Sequence, residues 1–507
     1  MRITNKIISQ NSITNINNNK VLEDKLNTQL ATGSKINRPS DDPVIAIRAL
    51  RLRTNLNQVN QYYSRNVPDA ESWLDITESA VNTVIEIVTD MYSNCTQGAA
   101  GFQTTEDRDK VLQNLKALQE EVYATGDADY AGRFVFTGYR TDTSLTFGVE
   151  TKKKYEITEQ LTEDALDKIT YVGVDKLNEL TQANAETLGT TEQEVTSQQV
   201  YRLRLAYQNC SQATAPTISY YDTSGTLKTV TAETISVNDT TRDPYLSAES
   251  AAEGVVFIPE TGELILSEDV YNSLSATKDN VATLDKDESE IRVTYEKEEF
   301  KSSDIRPEHY FYCESEGITY NEGYLTGATD DNSNQYISYD VGFNQSVRVN
   351  TLAKELFSTS LTRDVDDLIG SIEDVAAMDK SIATLEEMLK TDPENADLKE
   401  RLSAAKKAST YLNDKMQKLF ESSITKMQGH LNQANSALTA TGNRGSRVEL
   451  VSNRLAKQQT NFKTLSSDNE DVDLTEVAVD LSSVELAYQA ALMATGKISQ
   501  TTLLNYL

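Results

Sequence analysis

Side chains that could carry out catalysis are scarce in this chain of 507 residues. It has two histidines, His309 and His430, and three widely spaced cysteines, Cys95, Cys210 and Cys313. The chain lacks a His-Glu-x-x-His pair, a Cys-x-x-Cys pair, a phosphate-binding glycine loop and a Gly-x-Ser-x-Gly turn. The usual signatures of zinc, nucleotide and serine-hydrolase chemistry are therefore missing. We expect no enzyme, and hence no catalytic residue, metal ion or cofactor.

Other features that could suggest reactive or ligand-binding side chains have structural explanations. The three cysteines are too few and too dispersed for a disulfide framework, so we expect buried free thiols. The acidic segment 326–334 lacks the spacing and terminal glutamate of an EF-hand, which favours a solvated turn over the alternative of a calcium loop. Trp73 is expected in a helical core. The Tyr-rich middle is expected to fill strand cores, with a glycan platform as the alternative, and it includes Tyr310, Tyr312 and Tyr336.

The charge of the chain is strongly negative and unevenly distributed. The formal net charge is −30, which argues against nucleic acid as a partner. Residues 1–60 nevertheless contain nine basic and four acidic side chains, a net charge of +5. This basic arm could simply be solvated, or it could dock on acidic surface of its own chain or of a neighbour. No apolar run approaches the ~18 residues of a membrane span, and the start has no apolar segment typical of a cleaved signal peptide.

Both ends of the chain have the apolar spacing of packed helices. Near the C-terminus, apolar positions recur in steps of three and four, as in a heptad seam that needs a partner helix. We predict that the partner lies at the N-terminus. The residues expected to pack in this way are Ile3, Ile7, Ile13, Ile16, Leu22, Leu26, Leu474, Val477, Leu481, Val484, Tyr488, Ile498, Leu503 and Leu504.

Local signals predict where the N-terminal helices begin and end. A first helix over 5–32 should stop at Gly33, and a second should start at Pro43 with Asp42 as its N-cap. Pro68 should kink this helix without ending it, because the apolar period resumes beyond it. A third helix should begin at Thr104, with Asp107 completing a capping box.

The middle of the chain reads as β-structure, and helix returns near residue 352. Hairpins are predicted over 218–230 and 255–266, and strands over 291–295 and 310–312. Residues 156–212 contain little glycine or proline and are open to a partly helical interpretation. Later helices should break at Asp392-Pro393, pause in a loop over 466–471 and resume with Asp473 as the last N-cap.

These elements predict an α+β protein in which both termini form a long coiled-coil-like helical bundle around an inserted β-rich outer domain. The expected parts are an N-terminal assembly helix and loop, two halves of a helical domain, the variable outer domain and a C-terminal assembly helix. The N-terminal helix and loop should cover residues 1–42, and the two halves of the helical domain should cover 43–140 and 351–465. The outer domain should cover 141–350, and the C-terminal helix should cover 466–507. Seven asparagines between residues 5 and 27 weaken the first helix by about 4–5 kcal/mol in total. We therefore expect the ends to be labile in a monomer and helical once packed.

The residues around the first loop carry a family resemblance. Residues 30–43 resemble the loop after the first helix of the flagellin-like axial proteins of the bacterial flagellum. The stretches 66–70, 77–80, 129–138, 471–476 and 499–507 are similar to other parts of that family. The loop positions that carry the motif are Gly33, Asn37, Arg38, Pro39, Ser40, Asp41, Asp42 and Pro43.

The resemblance implies a structural, extracellular subunit, exported by the flagellar type III system without a cleaved signal peptide. The Pro39-to-Pro43 form of the loop is closest to members that join the hook to the filament. The implied partners are the first hook-associated protein, flagellin, further copies of the chain in a ring, and a dedicated export chaperone, but neither nucleic acid nor membrane. The alternatives are a flagellin filament subunit or, from a different class, a surface adhesin acting through residues 141–350.

Overall fold

The computed structural model describes residues 5–504 except for 102–103, 175, 186, 223, 240, 278–289 and 327–334. Its helices are α1 (Asn5–Thr32), α2 (Pro43–Gln61), α3 (Val67–Ala99), α4 (Thr105–Ala124), α5 (Glu268–Ser275), α6 (Gly323–Thr326), α7 (Ala353–Leu356), α8 (Ser360–Thr391), α9 (Ala396–Glu470) and α10 (Leu474–Leu504). Its strands are β1 (Asp129–Tyr130), β2 (Arg133–Phe134), β3 (Thr151–Leu161), β4 (Leu166–Gly173), β5 (Thr196–Arg204), β6 (Thr217–Tyr221), β7 (Leu227–Thr231), β8 (Glu233–Thr234), β9 (Val255–Ile258), β10 (Glu263–Leu266), β11 (Ile291–Phe300), β12 (Tyr312–Ser315), β13 (Ile318–Tyr320), β14 (Ser338–Gly342) and β15 (Gln345–Arg348). Helices thus occupy both ends and strands the middle, which confirms the predicted α+β class.

The chain forms two compact units. The terminal unit comprises residues 1–70, 339–347 and 447–507, and the central unit comprises residues 71–338 and 348–446. The terminal unit contains α1, α2, α10 and the last part of α9. In the central unit, helical segments bury an apolar core that includes Trp73, Met91, Leu115, Leu368 and Phe420, and the tryptophan is fully inaccessible, as predicted.

Two large and mainly antiparallel sheets lie in the central unit, besides the short β1–β2 pair. One has six strands in the order β13-β12-β3-β11-β6-β7, and the other has five in the order β4-β5-β10-β9-β8, with β8 parallel to β9. The predicted hairpins are β6–β7 and β9–β10. Residues 156–212 supply β4, β5 and most of β3, and the described helical parts of this segment are limited to 3₁₀ turns at Glu163–Ala165 and Leu177–Glu179. Their polar strands pair with distant segments, and a local pattern cannot report such pairing.

The helix ends agree with the capping signals. Asp42 Oδ1 accepts hydrogen bonds from the backbone N–H groups of Val44 and Ile45, at 2.9 and 3.2 Å. Thr104 Oγ1 accepts from Asp107 N at 3.2 Å, and Asp473 Oδ1 accepts from Thr475 N at 2.8 Å. Each polar side chain satisfies a donor that the helix itself leaves unpaired. The Asp107 carboxylate accepts from the Thr104 hydroxyl at 2.8 Å, which differs from the predicted capping box.

Three local predictions need correction or refinement. The helix continues through Pro68 as predicted, after a π-helical turn over Tyr62–Asn66. The loop predicted over 466–471 is wrong, since α9 runs to Glu470, where Arg53 and Asn469 tie this last turn to α2. Of the strand predicted over 310–312 only Tyr312 is in β12, because Tyr310 follows a 3₁₀ turn with helical backbone angles.

The contact between α3 and α9 provides a test of core packing. A Cβ atom added at Gly98 would lie 2.6 Å from ring atoms of the buried Phe420. We expect Gly98→Ala to lower the free energy of unfolding by about 1–3 kcal/mol in chemical denaturation. Gly429→Ala, on α9 with nothing within 4 Å, is the control and should raise it by up to ~1 kcal/mol. Equal effects of the two changes would contradict this packing.

Candidate assembly surface

Helices α1 and α10 pack against each other as an antiparallel pair within the terminal unit. The connection that aligns them is a short backbone ladder. Lys35 N donates to Glu470 O at 2.7 Å, and Val472 N donates to Gly33 O at 3.0 Å, around an antiparallel bridge between Ser34 and Asp471. The two ends of the chain therefore meet in one molecule, with the C-terminus of α1 beside the start of α10.

The packed face of α10 follows the predicted seam. Val477 is 7% exposed, and Leu481, Val484 and Tyr488 are half-buried. These residues are three or four positions apart, so they form one stripe along the helix. Leu474, three positions before Val477, continues this spacing but is 53% exposed at the start of the helix. The side chains of Ile498, Leu503 and Leu504 lie outside the described residues.

The packed face of α1 differs from the predicted one. Its least exposed positions also follow a heptad, but most of them are polar: Ser9, Ser12, Ile16, Asn19, Glu23 and Leu26. Ile16 and Leu26 therefore contribute to the pair, whereas Ile7, Ile13 and Leu22 are 48%, 52% and 43% exposed. The reason is geometric, because the apolar residues of α1 are spread around its circumference and cannot all face one helix. Ile3 lies outside the described residues.

Hydrogen bonds among its own residues hold the motif loop, residues 33–43, in shape after α1. Gly33 has φ +68°, and its N–H donates to Gln29 O at 2.8 Å, which ends the helix as glycine permits. Asp41 Oδ2 accepts from Arg38 N at 2.9 Å and from Asn37 N at 3.1 Å. These backbone hydrogen bonds, that from Arg38 first, hold the pKa of Asp41 below its ordinary value.

The remaining motif residues give this loop its shape. Asp42 caps α2, and Pro43 occupies the first helical position, where its missing N–H costs nothing. Pro39 and Ser40 are exposed in the turn between the two helices. The loop therefore fixes the start of α2 next to the α1–α10 pair through local hydrogen bonds.

Both helices of the pair expose large apolar side chains on their outer faces. On α1 these include Ile7, Ile13 and Val21, and on α10 they include Val479 and Leu486, all between 48% and 71% exposed. Soluble monomers seldom expose apolar surface in long contiguous stripes. The outer face of the pair is therefore a candidate contact surface.

The central unit contains a buried ionic cluster that no local sequence pattern predicts. Arg202 and Arg204 project from β5, and both contact Asp367 Oδ2 on α8, at 2.7 and 2.6 Å. Arg202 also contacts Glu263 at 2.6 Å, and Arg204 contacts Asp364. The five side chains are between 4% and 18% exposed. The cluster joins the five-stranded sheet to α8 through charge-assisted hydrogen bonds.

Residues of α9 complete the same cluster. Lys426 Nζ lies 3.1 Å from Asp364 and 3.2 Å from Asp167, and His430 Nε2 lies 3.0 Å from Asp364. Burial opposes the ionisation of Asp364, but Arg204, His430 and Lys426 together hold its pKa well below the ordinary value. This histidine therefore has a structural partner.

The cysteines are buried and free, as predicted. Burial raises the pKa of Cys95 and of Cys210 to about 12, so neither is a reactive thiolate. Among the residues that the structure describes, no group of histidine, cysteine and acidic side chains is arranged to hold a metal ion. Most of the candidate calcium segment 326–334 lies outside the described residues. No helix in the described part of the chain is long and apolar enough to cross a membrane.

A second buried group in the central unit provides a test of pH dependence. Glu159 Oε1 accepts a hydrogen bond from Ala206 N at 2.8 Å and another from the hydroxyl of Tyr295. Burial raises the pKa of Glu159 from 4.5 to about 7. The native state therefore binds a proton that the unfolded chain has lost, and stability should fall as pH rises from about 4.5 to about 7.

The variant Glu159→Gln should remove this dependence. Between about pH 5 and about pH 8 the wild type should lose roughly 2–3 kcal/mol more free energy of unfolding than the variant. Urea denaturation at the two pH values measures the difference. Parallel pH profiles for the two proteins would contradict the assignment.

Comparison with known proteins identifies the two ends of the chain. Residues 3–141 match the bacterial flagellin N-terminal helical region, and residues 423–507 match the bacterial flagellin C-terminal helical region. Flagellar hook-associated protein 3 of Salmonella typhimurium is 25% identical over 143 residues, which are 28% of this chain and 45% of that protein. A flagellin of Clostridium tyrobutyricum is 28% identical over 122 residues, covering 24% and 32% of the two chains. The chain thus spans less than half the length of the curated relatives it matches.

Similarity to solved structures is low. A flagellar junction protein from Legionella pneumophila has a TM-score of 0.31 and 9% identity, with 84% of this chain and 100% of that chain covered. The assignment therefore depends on the sequence matches at the two ends. Both ends of the chain therefore match the terminal helical regions of bacterial flagellin, and the described parts of these two regions pair in one molecule.

Proposed function

We propose that this protein is a structural, non-enzymatic subunit that forms the junction between the flagellar hook and the filament. The observation that carries the proposal is the α1–α10 pair, whose helices lie within the two regions that match flagellin and which leaves apolar side chains exposed along its outer face. A relative named flagellar hook-associated protein 3 supports the junction role over other positions in the flagellum.

The proposed mechanism is mechanical. The α1–α10 pair inserts into the wall of a tubular assembly, where neighbouring subunits cover the apolar residues that the monomer exposes. The β-rich sheets of the central unit hold their own buried core, so assembly does not depend on their refolding. The proposed neighbours are the first hook-associated protein, flagellin and further copies of this chain.

We also propose export through the flagellar type III system with the help of a dedicated chaperone. The terminal helices suit this route because α1 is weakened by its asparagines and packs through a largely polar face. Such a helix can unfold at low cost before export and refold when its neighbours supply packing. A chaperone that covers the exposed apolar residues of α10 would prevent early association.

Deletion of the gene tests the junction role. The mutant should retain hooks, lack stable filaments and release flagellin into the medium, and electron microscopy with analysis of the culture supernatant measures these outcomes. Restoring the gene on a plasmid is the control. Normal filaments in the deletion strain would overturn the proposal.

A flagellin subunit is the second candidate, favoured by the relative from Clostridium tyrobutyricum. The two candidates differ in what the purified protein does alone. A flagellin should polymerise into long filaments when seeded, whereas a junction subunit should stop after a short cap on hook ends. Long filaments made only of this protein would favour flagellin.

A further inference from the structure

The outward face of α2 combines exposed apolar and basic side chains. Val44, Ile47 and Leu50 are 66%, 54% and 62% exposed, whereas Ala46, Ala49 and Val59 of the same helix are buried. Arg48 and Arg51 lie beside the exposed apolar residues and are themselves exposed. The helix has no acidic residue over Pro43–Gln61. This outer strip is therefore apolar and basic in a chain whose net charge is −30.

The outward face of α10 has the complementary composition. Val479, Leu486 and Met493 recur every seven residues and are 62%, 69% and 67% exposed. Such spacing puts them on one stripe, opposite the seam that packs on α1. Three exposed acidic residues lie on the flanks of the helix between this stripe and the seam, two on one flank and one on the other: Glu476, Asp480 and Glu485.

We propose that the α2 strip of one copy docks on the α10 stripe of the next copy, an inference that rests on the proposed function. The two surfaces match in apolar content and have opposite charge, which favours association and specifies the partner. Because they are different surfaces of the same chain, the contact is heterologous and repeats from copy to copy. A repeated heterologous contact that closes on itself forms a ring.

The two faces have similar lengths, which sets the extent of the proposed contact. Val44 to Leu50 extends about 9 Å along α2, and Val479 to Leu486 extends about 10 Å along α10, at ~1.5 Å per residue. The acidic residues border this same part of α10. Met493 lies seven residues beyond Leu486, outside the proposed contact, so it remains available to another subunit.

The outer face of α1 is a poorer partner for the α2 strip. It exposes Val21 and Ile7, but Lys6, Lys20 and Lys25 are exposed on the same helix. These cations would repel Arg48 and Arg51, and like charges brought together at an interface cost affinity. Charge therefore selects α10 over α1.

Cysteine cross-linking in assembled flagella tests the contact directly. A variant that carries both Ile47→Cys and Leu486→Cys should form a ladder of covalent multimers after mild oxidation, since every copy offers both halves of the contact. Each single variant should remain monomeric, and the native cysteines are buried and should not react. A monomeric double variant, or dimers from either single variant, would overturn the proposal.

Charge reversal tests the same contact without new thiols. Arg48→Glu with Arg51→Glu should reduce the number of filaments per cell at least tenfold, and adding Glu476→Arg with Asp480→Arg should restore most of them. Lys457→Glu with Lys463→Glu, on exposed positions of α9, introduces the same charge and should have little effect. Lack of rescue, or equal loss in the α9 control, would count against the docking contact.

Failure of the docking contact can be distinguished from failure of the proposed function. If the deletion strain lacks filaments while the double cysteine variant stays monomeric, the junction role stands and this contact is wrong. If the deletion strain has normal filaments, the junction role is wrong whatever the cross-linking shows.

Discussion

Replacing Asp367 by Asn should lower the free energy of unfolding of the central unit by about 3–5 kcal/mol. Asp367 lies between Arg202 and Arg204, which are 4% and 6% exposed. An amide of the same size preserves the packing but removes the negative charge that both guanidinium groups face. Two buried cations then repel each other without their shared counter-ion, and chemical denaturation measures the loss.

A surface ion pair provides the matched control. Asp374 on α8 lies 3.3 Å from Lys415, and its side chain is 43% exposed. Asp374→Asn should cost no more than ~1 kcal/mol, because water already screens this pair. Similar losses for the two variants would mean that burial does not control the strength of the Asp367 contacts.

The same cluster predicts how the central unit responds to acid. Although burial opposes ionisation, Arg202 and then Arg204 hold the pKa of Asp367 well below its ordinary value of 3.8. A carboxyl group whose native pKa is depressed contributes its full stability above the unfolded value, and this contribution is lost as pH falls further. Acid unfolding should therefore start below about pH 4 in the wild type and show a weaker dependence on pH in Asp367→Asn.

Local chemistry explains which parts of the fold could be predicted from sequence. The N-caps at Asp42, Thr104 and Asp473 and the helix stop at Gly33 depend on residues within four positions of each other. The α10 seam is likewise a local period, and its middle residues from Val477 onwards pack as expected.

The parts that could not be predicted depend on contacts between segments that are distant in the sequence. Arg202 and Arg204 occur in a polar stretch of β5 with no local signal, and their partner Asp367 lies about 160 residues later. The last turn of α9 looks like a loop because it is polar, but Glu470 and its neighbours are held by contacts with α2. The α1 seam was hardest to predict, since Ile7 and Ile13 suggest an apolar face that the structure leaves exposed.

Replacing Val477 by Asp should abolish filament formation. Val477 is the most deeply buried residue of the α10 seam among those described, at 7% exposure. The change removes about 1.5–3 kcal/mol of apolar burial, and desolvating a carboxylate next to α1 costs several kcal/mol more. In the part of the chain that the structure describes, the asparagine-weakened α1 packs mainly on α10.

We expect Val477→Asp to unfold the paired terminal helices and to leave the central unit folded. Far-UV circular dichroism should report the loss of much of α1 and α10, which are 28 and 31 residues long, while the main unfolding transition of the central unit is unchanged. Ser483→Asp, at an exposed position of the same helix, adds an equal charge without entering the seam, and its filaments should be normal. If Val477→Asp cells made normal filaments, pairing of α1 with α10 would not be required for assembly. If both variants lost filaments, charge on α10 and not disruption of the seam would be the cause.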